Sequence, residues 1–381
     1  MALNEDSHDL TTRIEKLAVL FQRDLEGRRA ASGDLKVVGT LCLGAPVEIL
    51  DAVGVISVRL LQAGEEAELR GGRFLSADSC SFCKSVLGGL HRGSFRVDAV
   101  LGATTCDQMR RNLEIFARDL NLPVFIYNSP RSADSLSARE FAHSELRRIA
   151  AEIADWRGVR LDENALRAAL HERQSLRGRL RSLRSSEKEG FPMISGGEFL
   201  ALTRLYAATS LDFFRHHLPQ IESWIFERMP VHSSPPLRIA LLGGCVGDGD
   251  DQIVRLVEES GSAVIVYDAV CTGGRMLLRD ATEDDPFSAL TELYHDQILC
   301  PFRKPNDALF AQVSEETTRL RIHGVIYKTL KYCHPWGFEA RRFKERLGLP
   351  FLHLDHDYSP SAVGQLRTRI HAFLEQLRFR A

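Results

Sequence analysis

Eight short apolar runs, most of them followed by a helix-length segment, constrain this chain more than any other feature. Residues 35–41, 55–60, 97–101 and 123–127 carry four of them, and residues 237–242, 263–267, 323–327 and 350–354 carry the rest. Apolar runs of strand length that alternate with helical patterns read as parallel strands of α/β units. Between the two blocks the β signal disappears. Residues 132–228 read as helices, interrupted by the turn-like stretch 191–197. A first helix is expected over 12–28, where Ile14, Leu17, Leu20 and Phe21 recur at helical spacing. The expected fold class is therefore α/β, with two parallel-sheet domains joined by a helical segment. Residues 1–131 form the amino-terminal helix and first α/β domain, 132–234 a helical bridge, and 235–381 a second α/β domain. Ser233, Ser234, Pro235 and Pro236 serve as the linker. A cleft between two such sheets is where open sheets bind ligands.

Composition narrows the partners. Of 381 residues 44% are hydrophobic and 26% charged, enough for a sizeable core. Lys and Arg total 49 against 51 Asp and Glu, a net charge of −2, so no global field recruits nucleic acid or an anionic membrane surface. No stretch approaches the ~18 unbroken apolar residues of a membrane helix. The acidic start, MALNEDSHDL, lacks a secretory pattern. The expected location is the cytoplasm, where eight cysteines stay reduced and free for metal or redox chemistry.

The cysteines are placed with a regularity. Cys42, Cys106, Cys245, Cys271 and Cys333 each follow an apolar run, and the ends of parallel strands share one sheet edge, so residues distant in sequence can converge there. A helix amino terminus also favours the thiolate, the form that binds metal. Cys80 and Cys83 form a C-x-x-C with no second pair to complete a zinc ribbon. Ligands scattered along a chain suit an iron–sulfur cluster better than a local zinc knuckle. Three other patterns point elsewhere with less force. The Gly244–Gly249 stretch misses nucleotide-binding spacing, and Asp248, Asp250 and Asp251 would repel a pyrophosphate. Cys333-His334 is adjacent in sequence, which does not make a nucleophile–base pair. The run 171–184 sets Leu176, Leu180 and Leu183 on one stripe, with Arg173, Arg177, Arg179, Arg181 and Arg184 on a face expected to be solvated.

Five segments together resemble the 2-hydroxyacyl-CoA dehydratase and benzoyl-CoA reductase subunit family, the D-component. They are Gly39-Thr40-Leu41-Cys42 through Arg59; Cys80-Ser81-Phe82 with Gly88; Thr104-Thr105-Cys106 through Arg111; Cys271-Thr272-Gly273-Gly274-Arg275 with Cys300-Pro301; and Lys331-Tyr332-Cys333-His334-Pro335-Trp336 with Asp357-Tyr358 and Gly364 through Arg369. The resemblance implies two Rossmann-like domains holding an iron–sulfur cluster between them. It implies Cys80, Cys106 and Cys333 as ligands of a 4Fe–4S cluster with one open iron, and an ATP-hydrolysing iron–sulfur activator that supplies single electrons. A paired homologous subunit or homodimer and an acyl-CoA substrate follow, with radical dehydration or ring reduction as the chemistry. Cys42, Cys271 and Cys300 stand where related double-cubane reductases of small molecules carry further ligands, so an 8Fe–9S cluster is the alternative. A non-catalytic electron-relay subunit is another. Thr104 and Thr105 are candidates to tune the cluster, Arg110 and Arg111 to anchor charge or a partner, and Gln365, Arg367 and Arg369 to face the cleft. The resemblance leaves Cys83 and Cys245 without a role.

Overall fold

The computed structural model describes residues 9–229, 235–359 and 362–380, so Ser233 and Ser234 of the expected linker and the first eight residues lie outside the described residues. All eight apolar runs contain strands. β1 (Val37–Thr40), β2 (Ile56–Arg59), β3 (Ala99–Ala103) and β4 (Val124–Tyr127) form a parallel sheet in the order β2-β1-β3-β4. A small antiparallel ribbon, β5 (Glu187–Lys188) with β6 (Phe191–Pro192), begins the stretch read as a turn. β7 (Leu237–Gly243), β8 (Ala263–Ala269), β9 (Gly324–Leu330) and β10 (Phe351–His356) then form the second parallel sheet, ordered β10-β9-β7-β8. Every residue of β1, β2, β3 and β9 is buried, which is why these strands read as continuous apolar runs and do not alternate.

Each sheet starts in an interior strand, steps to one side, and then crosses back past its start. The direction reverses between β1 and β3 and again between β7 and β9. At such a switch point the loops leaving the carboxyl ends diverge and open a crevice. The two carboxyl edges are tied together: the Asp248 N–H donates to the Leu61 carbonyl (2.7 Å) and the Ala63 N–H to the Asp248 carbonyl (3.1 Å). Leu330, Tyr358, Cys245 and Cys333 of the second half pack into one cluster with Leu41, Leu60, Phe82 and Leu113 of the first. The glycine-rich 244–249 stretch therefore joins the two sheets; Asp250 pairs with Lys328 (2.7 Å) and Asp251 with Arg204 (2.6 Å).

The first helix spans Leu10–Ala31 and starts at Asp9, whose carboxylate accepts from the Thr11 and Thr12 N–H groups. Ile14, Leu17 and Phe21 are buried as expected, but Leu20 is exposed, because the buried stripe runs through Leu10, Ile14, Leu17, Phe21 and Leu25 and leaves position 20 to one side. In the middle zone the helices Leu136–Arg157, Glu163–Arg184, Gly196–Ala208 and Leu211–Phe226 follow one another. Leu176, Leu180 and Leu183 pack with the first helix and with Phe199 and Leu202.

The arginine face of that zone corrects the sequence expectation. Arg173 and Arg177 are each only 3% exposed, not solvated. Arg173 donates to both Asp51 oxygens (2.6 and 3.0 Å) and to Ser57 Oγ (3.0 Å), and Arg177 donates to Glu48 Oε1 (2.7 Å). Farther along, Arg184 donates to the Ile265 carbonyl (2.7 Å) on the second sheet. At 1.5 Å per residue, the step from Arg173 to Arg184 covers roughly 16 Å along one rigid helix. That helix is a strut fixing the two sheets at a set separation. Burial works against the Glu48 carboxylate, but Arg177 and Arg173 overcome it and hold its pKa below the ordinary carboxylate range.

Candidate metal centre

The carboxyl edges carry the cysteines. Cys42 lies two residues beyond β1, Cys106 three beyond β3, Cys245 and Cys271 two beyond β7 and β8, and Cys333 three beyond β9. Cys42 and Cys106 thus flank the switch point of the first sheet, and Cys245 and Cys333 that of the second. Three of the thiols also begin helices: Cys80 precedes Ser81–Arg92, Cys106 precedes Asp107–Asp119 and Cys333 precedes His334–Leu347. All eight cysteines are free, and none is exposed.

Local geometry aims the sulfurs inward. The Met109 N–H donates to Cys106 Sγ (3.4 Å), the Gly44 N–H donates to Cys42 Sγ (3.4 Å), and Thr105 Oγ1 lies 3.2 Å from Cys42 Sγ. Thr104 turns away and accepts from the Ser129 N–H (3.1 Å). Gly243 adopts φ +133°, and a Cβ there would fall 1.9 Å from the Lys328 carbonyl oxygen; one on Gly244 would lie 3.6 Å from Cys333 Sγ. Only glycine lets this turn come so close to β9. Two more glycines seat Cys80: a Cβ on Gly71 or Gly88 would sit 1.9 Å from a carbonyl oxygen of the facing helix, so Glu65–Gly71 and Ser81–Arg92 touch backbone to backbone.

The thiols fall into two neighbouring sets. Hydrogen bonds from Cys333 and Cys83 hold the Cys80 thiol well below its ordinary pKa and push those two donors well above theirs. Burial pushes Cys106 up to about 12 against the Met109 donor, with Cys80 adding to the rise. On the other side, a hydrogen bond from Cys245 takes Cys271 down to about 5, helped by Arg275 and Arg59. Burial takes Cys300 up to about 11 against Arg275, with Cys271 and Cys42 contributing. Cys80 and Cys271 are thus stabilised as thiolates, whereas Cys83, Cys106, Cys245, Cys300 and Cys333 resist ionisation. These thiols can be deprotonated together only if positive charge arrives between them.

Among the described residues no three His, Cys, Asp or Glu side chains converge as ligands of a single metal ion would. Thiols spread around a volume suit a polynuclear cluster, in which each sulfur binds a different iron. A second observation agrees. Arg59, at the end of β2, is 6% exposed, and its Nε and Nη2 have no hydrogen-bond partner. A buried unpaired cation is costly, and an anionic cluster beside Cys245 and Cys271 would answer it. The thiol donors and this guanidinium both fit an iron–sulfur group.

Not every expected site residue lies here. Arg110 and Arg111 are exposed and within ion-pair distance of Glu114. Arg367 pairs with Glu259 (2.8 Å), Arg369 donates to the His353 carbonyl (2.6 Å), and Gln365 is exposed, so these three serve the surface of the second half. Arg59 and the buried Lys328–Asp250 pair escaped the sequence reading. Their signal was a charge inside an otherwise apolar run, at the end of 55–59 and in the middle of 325–330.

Two parallel sheets meeting at their carboxyl edges around free thiols define an α/β protein with a thiol-rich centre between its halves. The chain belongs to the family described as 2-hydroxyglutaryl-CoA dehydratase, D-component, which matches residues 42–377. It is 27% identical over 357 residues to the putative dehydratase subunit YjiM of Escherichia coli, covering 90% of this chain and 92% of that protein. It is 18% identical over 378 residues to the lactoyl-CoA dehydratase subunit beta of Anaerotignum propionicum, covering 97% and 98%. Among solved structures, the periplasmic zinc-binding protein TroA of Treponema pallidum aligns with 90% of this chain and 99% of its own, at 8% identity and a TM-score of 0.25, too low to support any inference. No described helix is long and apolar enough to cross a membrane.

Proposed function

We propose that this chain is the iron–sulfur subunit of an ATP-activated, one-electron reducing enzyme. Cys80, Cys106 and Cys333 form one ligand set and Cys42, Cys271 and Cys300 the other, together suited to a double-cubane 8Fe–9S cluster. The observation that carries the reading is a second group of thiols beside the first, with Arg275 donating to Cys271 Sγ (3.0 Å) and Thr105 Oγ1 3.2 Å from Cys42 Sγ. A single cubane on the first set would leave this second group of half-buried thiols without an occupant.

A bound cluster supplies low-potential electron transfer, which no ordinary side chain offers. The protein's own residues hold and tune it. Met109 and Gly44 present backbone N–H groups to sulfurs, Thr105 sits against Cys42, and the apolar walls from Leu41, Leu60, Phe82 and Leu330 keep water out. The electron source is an ATP-hydrolysing iron–sulfur activator. The working unit is a pair, either with a homologous subunit or with a second copy; one relative's designation as a beta subunit supports pairing.

The second reading is a lyase subunit with one 4Fe–4S cluster on Cys80, Cys106 and Cys333, acting on a 2-hydroxyacyl-CoA. The family description and the similarity to a lactoyl-CoA dehydratase subunit favour it. Anaerobic reconstitution with iron and sulfide quantification separates the two. About eight iron atoms per chain support the double cubane, and about four support the lyase centre.

A further inference from the structure

The two thiol sets differ in their counter-charges. Arg275 donates to Cys271 Sγ (3.0 Å) and to the Leu299 carbonyl, and its guanidinium lies 4.9 Å from the centre of the Trp336 ring. Arg59, at the end of β2 in the first sheet, is buried with two unpartnered nitrogens, and its charge acts on Cys271 and Cys245. Burial, backbone donors and neighbouring thiols dominate the surroundings of Cys80, Cys106 and Cys333, and no cation is among their leading influences. Lys328, the buried cation below Cys245, is already matched by Asp250 at 2.7 Å.

We infer that Arg59 and Arg275 are positioning residues that hold the negative charge of the metal–sulfide group at Cys42, Cys271 and Cys300, making that side of the centre the easier one to reduce. The inference rests on the cluster reading above. Adding an electron makes an anionic cluster more negative, so a buried cation stabilises the reduced form more than the oxidised one. The electron comes from the low-potential activator of the previous section; no bond is made or broken, and one iron is reduced. Arg59 matters most here, because Arg275 already has protein partners.

The test compares the parent, Arg59→Met and Arg59→Lys as anaerobically prepared holoproteins. Iron content, the reduction midpoint of the centre and the denaturation midpoint are measured with iron and after chelation. Arg59→Met should retain its iron while its one-electron uptake falls about tenfold in equilibrium constant, a shift of about −59 mV. Arg59→Lys should recover most of that shift. In the iron-free protein Arg59→Met should be more stable than the parent, since an unpaired buried charge is gone; in the loaded protein it should be less stable. A fully loaded Arg59→Met with an unmoved midpoint, or one destabilised equally with and without iron, overturns the inference and leaves the cluster standing. A parent that binds no iron overturns the cluster reading and the inference with it.

Discussion

The Cys80–Cys106–Cys333 side and the Cys42–Cys271–Cys300 side share one crevice but are built differently. The first is seated by close backbone packing: glycine-to-backbone contact between two helices places Cys80, and helix starts present Cys106 and Cys333. The second is held by side chains, with Thr105 against Cys42 and Arg275 against Cys271 and Cys300. A site made by backbone packing keeps its shape when its charges change, whereas one made by charged side chains can be tuned without altering the chain path. The comparison assigns rigidity to the first set and electrostatic adjustment to the second.

The largest expected effect breaks the comparison outright. Cys106→Ser and Cys42→Ser should each remove about half of the bound iron if each set serves one cubane. Equal full retention in both variants would reject both ligand assignments, and loss in Cys106→Ser alone would return the centre to a single cubane. Next is the strut. Arg177→Met leaves Glu48 buried without its main partner and should cost about 3–5 kcal/mol, read from urea denaturation. If the spacing of the sheets matters to both sets, iron content should fall on both sides together.

A smaller effect sharpens the contrast at the first set. Gly88→Ala drives a methyl into the Ala67 carbonyl and should cost ~1–3 kcal/mol, with Cys80 displaced and the second set spared. Spectra showing equal disturbance of both cubanes would contradict the proposed independence. The smallest lies beside Cys300, where His295 and Arg303 line the same cavity. Burial, with Arg303 adding to it, lowers the His295 pKa from 6.5 to about 4. The unfolded chain therefore takes up that proton near 6.5 while the folded chain resists until about 4, so stability present above 6.5 is lost as the pH falls through this window. His295→Gln should flatten the change in urea midpoint between pH 7 and pH 5; an unchanged slope would show that another group titrates.

Much of the architecture was legible before any coordinates. Eight strands were read within a few residues of their ends, because a strand covered on both faces, as β1, β2, β3 and β9 are, reads as an apolar run. The positions of Cys42, Cys106, Cys245, Cys271 and Cys333 at strand ends were visible for the same reason. The arginine-rich face of Glu163–Arg184 was misjudged because a helix surface does not declare what packs against it. Asp51 and Glu48 lie more than 100 residues away in sequence, and only the assembled chain brings them to Arg173 and Arg177. Arg59 was hidden similarly: a charge closing an apolar run reads as an ordinary strand end until its burial is seen.

Local chemistry along the chain thus determined the element types, the two-sheet plan and the placing of thiols at strand ends, since periodicity and residue type act over a few positions. The division of the thiols into two sets, the guanidiniums that attend only one of them, and the strut separating the sheets were decided by the tertiary structure. Those features depend on distances between remote segments, and such distances exist only once the core has closed around them.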